Sequence, residues 1–94
     1  MIIKIRETCG NFAEDKDAAR DMREQLIRPH LKETQEPVTI DFTGVDSSTQ
    51  SFIHALISDY FQSMGEEALE RFEFKGCNKA IKSIIATVVN YSLE

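Results

Sequence analysis

The sequence predicts an α/β domain, a two-layer sandwich in which a small, mostly parallel sheet carries helices packed on one face. Short segments with an apolar residue at every second position alternate along the chain with longer ones whose apolar residues recur every three or four. Each short segment keeps one polar face, whereas a strand covered on both sides reads as a continuous apolar run. Strands joined through helices within one sheet need right-handed crossovers, which put the helices on the same side. The 94 residues suffice for one such domain.

The first strand is read at the N-terminus, where Ile3 and Ile5 alternate with Lys4 and Arg6. A helix follows over residues 15–28, with Ala19, Met22 and Leu26 at helical spacing and Glu14, Asp15 and Asp17 near the positive end of its dipole. Pro29 lacks an N–H and crowds the preceding turn, so this helix is expected to stop near Arg28, leaving HLKETQEP as a loop. Val38, Ile40 and Phe42 alternate with Thr39 and Asp41 in the second strand. The second helix, 49–64, carries Ile53, Leu56, Ile57, Tyr60 and Met64 on one stripe and ends at Gly65. Phe72 and Phe74 alternate with Arg71, Glu73 and Lys75 in the third strand. The last segment, 78–92, places Ile81, Ile84, Ile85 and Val88 at helical spacing; its β-branched residues also fit a strand, and helix is the reading adopted. Lys4, Arg6, Thr39, Asp41, Arg71, Glu73 and Lys75 then share the open face, where mixed charges pair across strands, deter edge-to-edge aggregation or dock another subunit.

Composition narrows the function classes. With 41% hydrophobic and 29% charged residues, the chain reads as an ordinary soluble domain. No run approaches a membrane span, and MIIKIRE lacks the apolar core of a signal peptide. A net charge of -5 argues against nucleic acid, which needs clustered Lys and Arg. Cys9 and Cys77, with no export signal, are expected to be reduced thiols of a cytoplasmic protein. Nothing brings His30 or His54 towards Cys9, the His and Cys spacings give no zinc signature, and no phosphate loop or dinucleotide fingerprint occurs. Glu66 and Glu67 follow Gly65 as solvated carboxylates. No enzyme activity, metal or cofactor is expected.

The most informative stretch is FTGVDSSTQSF, residues 42–52. Gly44 permits a turn after the strand, and one of Asp46, Ser47, Ser48 or Thr49 can cap the helix that follows, worth about 1 kcal/mol. One cap is enough, yet the run offers four and adds Ser51 in the first turn. Free N–H groups and the dipole at a helix start favour anions, so such a run also suits a partner's phosphate or its own phosphorylation. Later, Gly76 and Asn78 suit a turn and a cap, while Lys79 and Lys82 are either solvated or a small anion-facing patch.

The run VTIDFTGVDSSTQSFIHALISDYFQSMG, with its strand VTIDF, the turn TGV and Ser51–Phe52, followed by FEFKGCNKAIKSII, resembles a bacterial STAS-like domain family of unassigned function, related to the anti-sigma factor antagonist domains. The resemblance covers residues 38–92. It implies a STAS-like two-layer fold and a regulatory role through protein–protein contact, with a histidine-kinase-like ATPase or another signalling protein as partner. In the related antagonists a kinase phosphorylates the first serine of an Asp-Ser-Ser-Gly motif. Those positions fall here on Thr49, Gln50, Ser51 and Phe52, so Gln50 stands where the acceptor would be, and a shifted acceptor would be Ser48, Thr49 or Ser51.

The leading expectation is a non-enzymatic interaction module acting through Ser47, Ser48, Thr49, Gln50 and Ser51, with Asn78, Lys79 and Lys82 as a second contact. No nucleic acid or membrane partner is expected, and self-association is left open. The rival from another class is a small-ligand or anion-binding domain using the same helix N-terminus.

Overall fold

The computed structural model describes residues 1–94. Its main sheet contains β1 (Ile2–Lys4), β3 (Val38–Asp41) and β5 (Phe72–Lys75), ordered β1-β3-β5 and parallel throughout. Ile3 pairs with Ile40 and Ile40 with Phe74 on the covered face, while Lys4, Asp41 and Lys75 form a row across the open one. A second parallel ladder, absent from the sequence reading, joins β2 (Phe12–Ala13) to β4 (Ser47–Ser48).

The helical layer is built around α4 (Gln50–Met64), which packs between α2 (Lys16–Met22) and α6 (Lys79–Leu93). Phe52, Ile53, Leu56, Ile57 and Phe61 of α4 are almost wholly buried, as are Val38, Ile40 and Phe42 of the strand segment beneath them. Burying each such side chain stabilises the fold by about 1.5–3 kcal/mol. Where α4 crosses α6, the Ser58 and Ser92 hydroxyls meet at 3.1 Å, so two small residues give close approach without an unsatisfied polar atom.

Three local expectations are corrected. The first strand ends at Lys4, and Ile5 begins a short helix, α1 (Ile5–Cys9). Ile5 is nonetheless fully buried, because the turn that starts there still aims it at the core. Arg71 does not lie on the open face either. It closes α5 (Ala68–Arg71), is buried, and donates from Nη2 to the carbonyls of Thr34 at 2.6 Å and Leu31 at 3.4 Å.

The helix expected to stop near Arg28 instead continues past Pro29. A π turn, Arg23–Ile27, follows α2 and leads into α3 (Arg28–Glu33), so the segment HLKE is helical rather than loop. Pro29 stands in the first two positions of α3, where its missing N–H costs nothing. The wider turn just before it moves the carbonyl that the proline ring would otherwise strike. The extra residue also rotates the apolar face: Ile27 is fully buried, and Leu26, expected inside, is exposed.

Side chains hold the π turn against α4. The Tyr60 hydroxyl donates to the Arg23 carbonyl at 2.7 Å, and Arg23 Nη1 donates to the Ala55 carbonyl at 2.9 Å. Burial pushes the Tyr60 phenol up to about 12, so it remains a donor at any ordinary pH. Arg28 lies over the Tyr60 ring and donates to both oxygens of Glu24. Hydrogen bonds from Arg28, then Arg23, hold the Glu24 carboxyl down at about 2. A folded-state value below the ordinary one stabilises the native state above the ordinary value and is lost as pH falls through the folded one. Melting temperature is therefore expected to drop between about pH 4.5 and 2 less steeply in Glu24→Gln than in wild type. Parallel melting curves for the two proteins would refute this assignment.

Candidate functional site

Residues 42–52 leave the sheet and enter α4 through a turn fixed at both flanks. Gly44 has φ +81°, and a Cβ there would stand 2.6 Å from Arg6 Cδ, so the Arg6 side chain lies across a glycine. Asp46 N–H donates to the Asn11 carbonyl at 2.8 Å, and Asn11 Nδ2 donates to Asp46 Oδ2 at 3.3 Å. The β2–β4 ladder then ties the run to the N-terminal segment, with Thr49 N–H donating to the Ala13 carbonyl at 3.0 Å.

This arrangement divides the polar run in two. Ser48 is buried, and its hydroxyl donates to the Ala13 carbonyl at 2.9 Å. Thr49 is the N-cap of α4, its Oγ1 accepting from the Phe52 N–H at 3.1 Å. Both hydroxyls serve the fold. Ser47, Gln50 and Ser51 are exposed, and no side-chain hydrogen bond within the chain engages them. The period-two pairing of Ser47 with Phe12 and Ser48 with Ala13 sets which hydroxyl points in, a phase that a two-residue strand does not announce in sequence.

Gln50 and Ser51 open onto a shallow depression whose other walls are Lys16, His54 and Ala55. Lys16, from the first position of α2, arrives there through α2–α4 packing, and His54 lies one turn along α4 from Gln50. Helical spacing could have found His54. Lys16 required the tertiary contact.

Asn78 joins the two stretches singled out in the sequence. Its Oδ1 accepts from the Ile81 N–H at 2.9 Å and caps α6, while its Nδ2 donates to the Asp46 carbonyl at 2.7 Å. Lys79 and Lys82 are exposed on the first turn or so of α6, and Lys82 lines a groove beside β5 rather than the Gln50–Ser51 depression.

A separate polar depression lies at the carboxyl ends of the parallel strands, where open α/β sheets present their crevices. Lys4, Arg6, Glu7, Gly10, Asp41, Thr43 and Lys75 line it. Asp41 Oδ1 accepts from Thr43 Oγ1 at 2.6 Å and from Thr43 N–H at 2.9 Å. Those bonds, helped by burial-opposing charge from Lys75 and Lys4, hold its carboxyl below the usual range. Cys9 and Cys77 are half-buried and free, and burial raises both thiols above their ordinary value, the opposite of what a nucleophile needs.

No helix is long and apolar enough to cross a membrane. No curated protein and no solved structure matches the chain. A family described as a STAS-like domain of unknown function matches residues 18–82, which takes in the π turn, β3, the polar run, α4, β5 and the cap at Asn78. With most of its length matched, and with a parallel sheet backed by helices on one side, the chain belongs to this family of STAS-like domains.

Proposed function

We propose that the domain is a non-enzymatic regulatory module that binds another signalling protein through the start of α4, with Ser47, Gln50 and Ser51 as the contact surface. The observation that carries this reading is the division of the polar run. Ser48 and Thr49 complete the fold, whereas the side chains of Ser47, Gln50 and Ser51 stay exposed with no structural task, Gln50 and Ser51 beside Lys16 and His54. Residues this polar at a helix start, beyond the single cap required, suit recognition by a partner. A histidine-kinase-like ATPase fits the family's relation to the anti-sigma factor antagonists.

Control by phosphorylation belongs to the same proposal and narrows to Ser47 and Ser51, the exposed hydroxyls of the run. Ser51 occupies the second helical position of α4, where a phosphate meets the positive end of the dipole and the neighbouring Lys16.

Ser51→Asp separates contact from folding. It should raise stability by about 0.3–1 kcal/mol through the helix dipole and weaken capture of the partner by a photo-crosslinker placed at Gln50. A folded variant that captures the same partner as strongly as wild type removes this surface from the proposal. The rival, an anion-binding site on the same helix start, would show as a rise in melting temperature with phosphate concentration that Lys16→Ala abolishes.

A further inference from the structure

We propose that β5 is the interface of a symmetric dimer, in which two copies pair antiparallel through Phe74 and their sheets run on as one. The strand order β1-β3-β5 leaves β5 at an edge. The Lys75 carbonyl accepts from the Phe42 N–H across the β3–β5 ladder. Peptide groups alternate in direction along a strand, so those of Glu73 and Lys75 face β3 and those of Phe74 face outwards. An open edge of this kind is a template for another strand.

The side chains identify the occupant as a second copy of this chain. In an antiparallel pair centred on Phe74, that residue meets its own counterpart and exchanges both N–H···O bonds, as its outward peptide groups require. Glu73 then stands opposite the second copy's Lys75, and Lys75 opposite its Glu73, at the closer kind of cross-strand position. Glu73 and Lys75 are exposed on the open face and form no ion pair within the chain. The charges of this edge are therefore complementary to themselves. β1, the opposite edge, lacks that property: its outward peptide groups are those of Ile2 and Lys4, and centring on Ile2 sets Met1 against Ile3, whose side chains carry no charge.

The other side of the strand agrees. An apolar groove lined by Leu69, Phe74, Cys77, Ile85, Ala86 and Val89 runs beside β5, and Leu69 is 53% exposed at its rim. Pairing through Phe74 carries the second copy's Phe74 to this covered side of the sheet, where the two rings shield the groove. The contact involves one short strand and its flanking groove, so a concentration-dependent dimer is expected rather than an obligate one.

Sedimentation velocity across a concentration series tests the proposal with four proteins: wild type, Glu73→Lys, Lys75→Glu, and the double variant carrying both changes. Wild type should dimerise, each single variant should shift towards monomer, and the double variant should recover the dimer because the pairs are restored with their signs exchanged. Both Glu73→Lys and the double variant lose the bond Glu73 accepts from Thr39 Oγ1, so recovery reports on the intermolecular pairs alone. In wild type the Phe74 amide should exchange more slowly as concentration rises. A wild type that stays monomeric, single variants that dimerise like wild type, or a folded double variant that stays monomeric would each overturn the assignment.

Discussion

Gly76→Ala is expected to destabilise the domain by about 3 kcal/mol, combining left-handed backbone strain with overpacking. Gly76 has φ +68°, and a Cβ there would collide with the Thr43 hydroxyl and stand 2.7 Å from the Thr43 backbone N and 2.8 Å from its Cα. Thr43 cannot step aside, because its N–H and its hydroxyl both donate to Asp41 Oδ1. Gly10→Ala is the open-space counterpart. Its φ of +70° comes with ψ -146°, a glycine-favoured conformation of its own, but no heavy atom lies within 4 Å of the added methyl, so it should cost only backbone strain of about 1–3 kcal/mol. Urea denaturation measures both losses, and a Gly76→Ala loss no greater than the backbone strain of about 1–2 kcal/mol would show that the Thr43 contact contributes nothing.

Arg71→Met is expected to cost about 2–3 kcal/mol. Hydrogen bonds from a charged donor contribute about 1.5–3 kcal/mol, and this guanidinium serves the Thr34 and Leu31 carbonyls at the end of α3. A cation there also meets the negative end of the helix dipole. Against this, Arg71 Nε is buried without a partner, so methionine relieves one cost while it imposes another. The sign follows from what stays behind: two carbonyls that methionine cannot satisfy. Native-state hydrogen exchange should show protection lost in residues 28–33 before the rest of the domain. Unchanged stability with unchanged protection in α3 would mean that water replaces the guanidinium at no cost.

Arg71 also marks where the sequence stops being informative. It follows the period-two alternation of Phe72 and Phe74, and nothing local distinguishes a solvated arginine from one turned inward to cap a distant helix. The same alternation carried Ile5 into the first strand, although burial is satisfied equally by the helical turn that forms there. Patterns sustained over a whole element behaved differently. The stripe of α4 and the helical spacing of α6 match the observed helices, despite the β-branched residues of α6, because contact with α4 outweighs the small local propensity against helix. Pro29 illustrates a rule applied without its compensation: it ends an α-helix, but a π turn places it at a fresh helix start. At the candidate site, the stretch was visible as a polar run, whereas its division into inward and outward hydroxyls depends on a ladder to Phe12 and Ala13, more than thirty residues away in the chain.

That ladder has an evolutionary consequence. Because Ser48 and Thr49 meet the folding requirements, the side chains at 47, 50 and 51 are free to drift without endangering the domain. On the proposed contact surface, recognition can then change without a change of scaffold, and Gln50, where the resemblance to the antagonist domains places a serine, is a substitution that the fold tolerates.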